Sequence, residues 1–352
     1  MDKYQYVKTM GLLLLYVICT SVRHVSTNTI DNNVTSDQSY GTFKDFINMY
    51  NKTYSSSEEL RARFDIFKQS LERHRALNAA RTHPHDALYG VTQFSDMTPQ
   101  EFSASVLGHR SLGGQKASAL KPNFQFLKIV KDVDPKFDWR THKPAVVTKV
   151  RDQGSCGGCW AFSIVECMET QYALKTGKLI ELSPQQLIDC ADTPPDHGCG
   201  GGNLCATLEW LLDTNQTMVT EKKYPYKAKT GTCKHYTSTD VKVVNYTCRG
   251  YHDMTHQEDM MVSLLNHHGP LAVAVDATSW QDYIGGIIQH HCYDRYDNHA
   301  VQIVGYDKTG PVPYYIVRNS WGSKFGLNGY LNIKIGDNLC GIANTVGSLD
   351  VQ

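Results

Sequence analysis

No excess of charge of either sign marks the sequence: 35 lysines and arginines balance 35 aspartates and glutamates over 352 residues. With no long basic run either, a nucleic-acid partner is not implied, and nothing calls for a charged substrate. Long apolar runs are missing as well. The one that stands out, Met10-Gly11-Leu12-Leu13-Leu14-Leu15-Tyr16-Val17-Ile18-Cys19, follows Lys3 and Lys8 and precedes Thr20 and Ser21. That is the arrangement of a secretory signal peptide, assigned to residues 1–21 and too short for a stable membrane anchor. Fifteen histidines are present, yet no spaced Cys/His set accompanies them. The adjacent His290-His291-Cys292 is poorly disposed to converge on one ion, so neither a metal nor any other cofactor is expected.

Cysteine, by contrast, is plentiful, with 11 residues. Cys19 leaves with the signal, and the remainder fit an oxidising compartment. Sequons at Asn33, Asn51, Asn215 and Asn245 agree with passage through the secretory route, to a lysosomal or an extracellular destination.

The chemistry concentrates in Gln153-Gly154-Ser155-Cys156-Gly157-Gly158-Cys159-Trp160-Ala161-Phe162-Ser163. Far downstream lie Asn298-His299-Ala300 and Arg318-Asn319-Ser320-Trp321-Gly322. A neutral thiol is a poor nucleophile and needs a cationic neighbour or a helix N-terminus to hold it as thiolate. Trp160, Ile164, Val165, Met168 and Tyr172 recur at helical spacing from Cys159 to Gly177, which puts the thiol on the first turn of a predicted helix. His299 is the candidate base and later acid, and Asn319 the group that orients its ring. A redox dithiol at Cys156 and Cys159 is the rival reading. Its flanks lack the short βαβ setting, and Cys199, in Gly198-Cys199-Gly200-Gly201-Gly202, offers Cys156 a separate partner.

Together these motifs resemble papain-like cysteine proteases, with Gly158 the one departure in the nucleophile run. The resemblance implies an α+β, papain-like two-lobe fold, a helical lobe plus a β-barrel-like lobe, with thiol and imidazole on opposite walls of a cleft. It gives Gln153 the oxyanion-hole side chain and makes Trp321 a shield over the His–Asn hydrogen bond. The substrate pocket falls on Gly201, Gly202, Leu204, Ala274, Ala300 and Thr345, and a hydrophobic residue is preferred second before the scissile bond. Nothing like a His-bearing exopeptidase insertion occurs between residues 202 and 224, so endopeptidase action through an acyl-enzyme is implied. Departures are Asn298 for a common Asp and Phe325 for a Trp. Ser279-Trp280-Gln281-Asp282-Tyr283-Ile284-Gly285-Gly286-Ile287-Ile288-Gln289-His290-His291-Cys292, with Asn298 and Gly158, marks one subgroup of the cathepsins.

Upstream, Ser56 and Glu59 form a capping box for a helix in which Leu60, Phe64, Phe67 and Leu71 repeat, ending near Asn78. Glu59, Arg63, Ile66, Phe67 and Asn78 resemble the pro-segment motif of cathepsin L-like proenzymes, with Ser70 and His74 replacing an Asn and an Ile. Gly90-Val91-Thr92-Gln93-Phe94-Ser95-Asp96 resembles the second such motif. The implied organisation is a propeptide over 22–132, inhibitory and helical at about 39–100, with a basic linker at 115–131, then a mature domain over 133–352. That domain opens on a strand at Phe137-Asp138-Trp139-Arg140. Leu204, Leu208, Leu211 and Leu212 mark a further helix, and strands are expected at 271–275, 299–306, 314–319 and 330–335. Disulfides by resemblance are Cys156 with Cys199, Cys190 with Cys233, and Cys292 with Cys340. Cys167 and Cys205, on the two helices, are expected to form a fourth, leaving Cys248 unpaired. Implied partners are protein and peptide substrates, the chain's own propeptide and cystatin-like inhibitors, for a monomer with no membrane span. The alternative from another class is a catalytically silent homologue acting as a protein-binding module.

Overall fold

The computed structural model describes residues 39–108, 132–191, 198–236, 241–249, 258–292 and 297–352. The expected signal peptide, the Asn33 sequon and the 115–131 linker lie outside them. Among the described residues no helix is long and apolar enough to cross a membrane, and no group of three or more His, Cys, Asp or Glu could hold a metal ion.

The N-terminal unit is built on helices α1 (Ser39–Tyr50) and α2 (Ser57–Ala79). Phe43, Phe46, Phe64 and Phe67 are buried between them, Phe43 lying 5.1 Å from Phe64 and 5.2 Å from Phe67. Rings at helical spacing thus give this unit its own small core. Ser56 caps α2 by accepting from Glu59 N, but Glu59 Oε2 reaches Ser55 N and Ser55 Oγ instead of closing the expected box. The complete box belongs to α3 (Pro99–Val106), where Thr98 and Glu101 satisfy each other's backbone and Pro99 starts the helix. Arg63 donates to Glu101 Oε1 and Oε2 and to the Asp96 carbonyl, which ties α2 to α3.

The helical lobe has at its centre α4 (Cys159–Thr176), buried on nearly every face and ended by Gly177. Beside it lie α5 (Pro184–Cys190), capped by Ser183, and α6 (Leu204–Asp213), capped by Asn203. The β lobe contains β3 (Val243–Arg249), β4 (Leu271–Val275), β6 (Ile287–Ile288), β7 (His299–Asp307), β8 (Tyr314–Arg318), β9 (Tyr330–Lys334) and β10 (Val346–Val351). Their order is β3-β10-β4-β7-β8-β9-β6, and β2 (Lys136–Asp138) pairs with the far end of β7. All pairs are antiparallel except β6 with β9. Strands β4 and β7 are buried throughout, whereas β9 alternates, as a strand with one wet face should. A separate two-stranded pair joins β1 (Leu88–Tyr89), from the N-terminal unit, to β5 (Tyr283–Gly285).

The helices at 159–177 and from 204, and the strands at 271–275, 299–306, 314–319 and 330–335, form within a residue or so of their expected bounds, but the opening strand stops at Asp138 and Trp139–Thr141 turn into a 3-10 helix that the Asp138 side chain caps. Strands β1, β3, β5, β6 and β10, and helix α7 (Glu258–His267), stand outside the sequence expectations. Gly347 and Asp350 weaken the strand pattern of β10, which is held in place by β3 on one side and β4 on the other.

Cys156–Cys199, Cys190–Cys233 and Cys292–Cys340 are bonded as the resemblance implies. The fourth bridge corrects the expectation: it joins Cys205 to Cys248, and Cys167 is a buried free thiol. The reason is β3, which carries Cys248 against α6, with the two Cα atoms 5.3 Å apart. Cys167 faces the sheet, where Gln302 Nε2 donates to its sulfur at 3.7 Å.

Candidate active site

Cys159 occupies the first position of α4, after Gly158. Backbone N–H groups of Ala300, Gly108, Trp160 and Cys159 itself favour the thiolate, but complete burial outweighs them and pushes the thiol from 9.0 up to about 11. While the cleft is covered, burial therefore favours the neutral thiol over the thiolate. Gly158 has a steric cause: a Cβ there would stand 2.8 Å from Ile188 Cδ1 and 3.3 Å from the Cys156 sulfur.

His299 opens β7, and Asn319 follows the last residue of β8. The ring Nε2 lies 2.8 Å from Asn319 Oδ1 in a buried setting. Ser320 N donates to the same oxygen at 2.8 Å, which fixes it as an acceptor and makes Nε2 the protonated nitrogen of the neutral ring. Nδ1 is then the basic atom, on the far side of the ring from Asn319. The Trp321 ring lies 4.7 Å from His299 and is itself buried, so water is kept from the His–Asn bond. The Ala300 N–H directed at the Cys159 sulfur places the thiol beside the start of the strand that carries His299.

Gln153 is fully buried, and Ser320 clamps it twice. Gln153 N donates to the Ser320 carbonyl at 2.8 Å, and Ser320 Oγ donates to Gln153 Oε1 at 2.5 Å. The side-chain amide is thereby turned so that Nε2 faces the cleft. Tyr226 OH donates to the Gln153 carbonyl at 2.6 Å. Ser320 and Tyr226 are site residues that sequence reasoning missed; the signal for Ser320 was its place beside Asn319, and Tyr226 carried none.

The expected pocket residues are also assembled. Ala274 and Ala300 are directly paired across β4 and β7, and Ala274 N donates to the Thr345 carbonyl at 3.1 Å. Leu204, Ala274 and Ala300 share one core cluster with Cys159. Behind Thr345 lies Asp297, which no motif announced. Its Oδ1 accepts from Asn344 Nδ2 and its Oδ2 from Thr345 Oγ1, while burial pushes the carboxyl up to about 6. Gly201 carries a φ of 112°, and Gly202 N donates at 2.9 Å to the carbonyl of Gly108.

Gly108 belongs to an extended segment that leaves α3 and enters the cleft. Gln153 Nε2 donates to the Val106 carbonyl at 2.7 Å, so a peptide oxygen from the N-terminal unit sits where the resemblance puts an oxyanion. At Gly108 a Cβ would fall 2.0 Å from the Gly157 carbonyl oxygen, so only glycine lets the backbones approach this closely.

Comparison with known proteins accounts for this arrangement. The profile described as "Papain family cysteine protease" matches residues 133–349, and "Cathepsin propeptide inhibitor domain (I29)" matches residues 43–102. The chain belongs to the papain family of cysteine proteases. It is 43% identical over 305 residues to cathepsin O of Homo sapiens, covering 86% of this chain and 91% of that one. It is 37% identical over 346 residues to the viral cathepsin of Mamestra configurata nucleopolyhedrovirus, covering 96% of each. Digestive procathepsin L 3 from the Tenebrio molitor larval midgut superposes with a TM-score of 0.76 at 30% identity, over 89% of this chain and 99% of that one. Within the family the chain is thus similar to cathepsin O, and the two-lobe fold is the expected one. This papain-family chain is a cysteine-type endopeptidase carrying an inhibitor propeptide.

The propeptide grips its own enzyme along 281–291 and over Trp321. Leu88 and Tyr89 pair with β5, Thr92 Oγ1 donates to the Gln281 carbonyl at 2.6 Å, and Gln281 Nε2 returns bonds to the Phe94 and Met97 carbonyls. Gln93 Nε2 donates to the Trp321 carbonyl, while Phe94 and Phe102 meet that indole edge-on at 5.3 Å. The two motif departures are used. Ser70 Oγ donates to the Ser95 carbonyl, and His74 Nε2 lies 2.9 Å from Asp282 Oδ1. Arg73 donates to both oxygens of that aspartate. Burial raises the Asp282 carboxyl, but the bonds and charges of His74 and Arg73 outweigh it and hold it below the usual carboxylate range.

Proposed function

We propose that Cys159 is the nucleophile of this protease, His299 its acid and base, Asn319 the group that orients the imidazole and Gln153 the oxyanion donor. The observation that carries the reading is the junction of α4 with β7 and β8. It sets the thiol at a helix N-terminus beside Ala300 while His299 is held by Asn319 under Trp321. Once the propeptide strand leaves, the burial that holds the thiol neutral is relieved and the helix terminus and imidazole favour the thiolate. The sulfur adds to the peptide carbonyl while Gln153 Nε2, in the place now taken by the Val106 carbonyl, stabilises the oxygen. His299 protonates the leaving amine, and water, deprotonated by the same ring, resolves the acyl-enzyme.

The apolar Leu204, Ala274 and Ala300, with Thr345, favour a hydrophobic residue second before the scissile bond. A peptide library cleaved faster with charged residues there than with Leu or Phe overturns that preference. The reading includes a 1–21 signal, a 22–132 propeptide, a mature enzyme over 133–352, and action in lysosomes or outside the cell. Asn51 and Asn215 are exposed, as glycan attachment requires, whereas Asn245 is half-buried and its Nδ2 donates to Asp350 Oδ2. Cystatin-like inhibitors would enter the same cleft. Iodoacetamide or an epoxide probe should label the acid-processed protein and leave a Cys159→Ala control unlabelled; equal labelling of both removes Cys159 from the role.

A further inference from the structure

One buried guanidinium reaches every segment that carries a piece of this site. Arg318 ends β8, one residue before Asn319, and is wholly buried. Its Nη2 donates to Thr148 Oγ1 at 3.0 Å and to the Lys149 carbonyl, on the segment that leads into Gln153. Its Nη1 donates at 3.4 Å to Gln302 Oε1, on the strand that His299 opens. Nη2 also lies 3.4 Å from Glu166 Oε1, two helical turns after Cys159 on α4. The side chain therefore touches the nucleophile helix, the imidazole strand and the oxyanion segment while standing on the asparagine strand.

The contacts themselves are held. Thr148 donates to Glu169 Oε2 at 2.6 Å, and Glu169 accepts from Leu182 N and pairs with Arg151 at 3.1 Å. Two arginines and two glutamates meet in a site closed to water, where burial raises the Glu166 carboxyl against the pull of Arg318 and Arg151. Such networks contribute little net stability compared with apolar packing, because each charge must be stripped of solvent. What a planar fork with five fixed donors does supply is direction, which a single ammonium cannot give to four partners at once.

We propose that Arg318, anchored by Glu166, is a positioning residue that fixes the register of the nucleophile helix against the strands bearing His299 and Asn319. The inference rests on the catalytic assignment above. It explains why a helix with apolar neighbours carries a buried carboxylate seven residues after the nucleophile.

The test uses full-length proenzyme, acid-processed, carrying Arg318→Lys or, as a milder change, Gln302→Leu. Three quantities are read: kcat and KM on a peptide substrate, the pH profile of Cys159 alkylation by iodoacetamide, and the melting temperature. Arg318→Lys should lower kcat by about 100-fold with little change in KM, the scale expected when a reacting group is displaced by about 1 Å. The pH range of rapid alkylation should narrow, because a misplaced imidazole no longer stabilises the thiolate. Gln302→Leu should move both readouts the same way by less. A lower melting temperature with kcat and the alkylation profile unchanged assigns the network to stability and overturns the proposal. Should Arg318→Lys not fold, unchanged profiles in Gln302→Leu and Glu166→Gln overturn it equally. An unsubstituted processed protein that neither cleaves peptides nor alkylates faster than Cys159→Ala overturns the catalytic reading, and the positioning role falls with it.

Discussion

The propeptide holds its enzyme in two unlike ways. Residues 70–102 dock through the short β1–β5 pairing and, above all, through side chains: an arginine and a histidine on Asp282, Thr92 on the Gln281 carbonyl, the Gln281 amide on the Phe94 and Met97 carbonyls, two phenylalanines on Trp321. Residues 106–108 seal the cleft through peptide groups, with the Val106 carbonyl on Gln153 and the Gly108 carbonyl on Gly202. The difference follows from what each surface must do afterwards. A cleft meant for many peptides recognises backbone, so its plug is held by peptide groups. The docking face lies outside the cleft and can be specific, buried and sensitive to charge.

Removing the aromatic anchor should disturb the docking half most. Phe102 is fully buried against Trp321 and Phe94, and Phe102→Ala should weaken docking by about 3–5 kcal/mol. A processing time course on gels should show maturation at less acidic pH than the unsubstituted chain; identical courses would mean the plug alone restrains the enzyme.

Next comes the sealing half. Gly108→Val cannot keep the strand in place, since its Cβ would meet Gly157 backbone at 2.0 Å. Docking should survive, yet Cys159 should return from about 11 towards 9.0, so alkylation of the intact proenzyme should rise about 100-fold at neutral pH. Unchanged alkylation would show that the docked residues, and not the strand, silence the thiol.

Arg73→Met sharpens the pH side of the comparison. Asp282 is held below the usual carboxylate range when docked, so its contribution is present above the undocked value of about 4 and is lost as pH falls through the lower docked one. Without Arg73 the docked carboxyl rises, and about 1.5–3 kcal/mol of charged hydrogen bonding is lost. The pH at which the propeptide releases should therefore move upward, measured by activity appearing across a pH series. The smallest effect belongs to Thr92→Val, which removes one hydrogen bond to the Gln281 carbonyl and should cost about 1 kcal/mol, visible only as a slight gain in processing rate.

The parts of this protein fixed by short-range chemistry could be read directly. Cys159 at a helix start, His299 and Asn319 at the ends of β-rich runs, Gln153 six residues before the thiol and the glycine-bounded helices are all local patterns. Three disulfides followed the resemblance. The fourth did not, because the choice between Cys167 and Cys248 as partner of Cys205 depends on where β3 lies, and β3 is placed by β10, a strand with weak pattern of its own.

From sequence came the candidate reacting groups and the helical and β-rich runs, which depend on residue type and spacing within one element, and, through the resemblance, the order of propeptide and enzyme. Only the fold decided that Ser320 turns the Gln153 amide, that Tyr226 backs it, that His74 and Arg73 share Asp282, and that Arg318 reaches from β8 to α4, β7 and the segment before Gln153. Those contacts join residues tens to hundreds of positions apart. A hydrogen bond reports on distance in space, which hydrophobic period and motif spacing do not encode until the chain has packed.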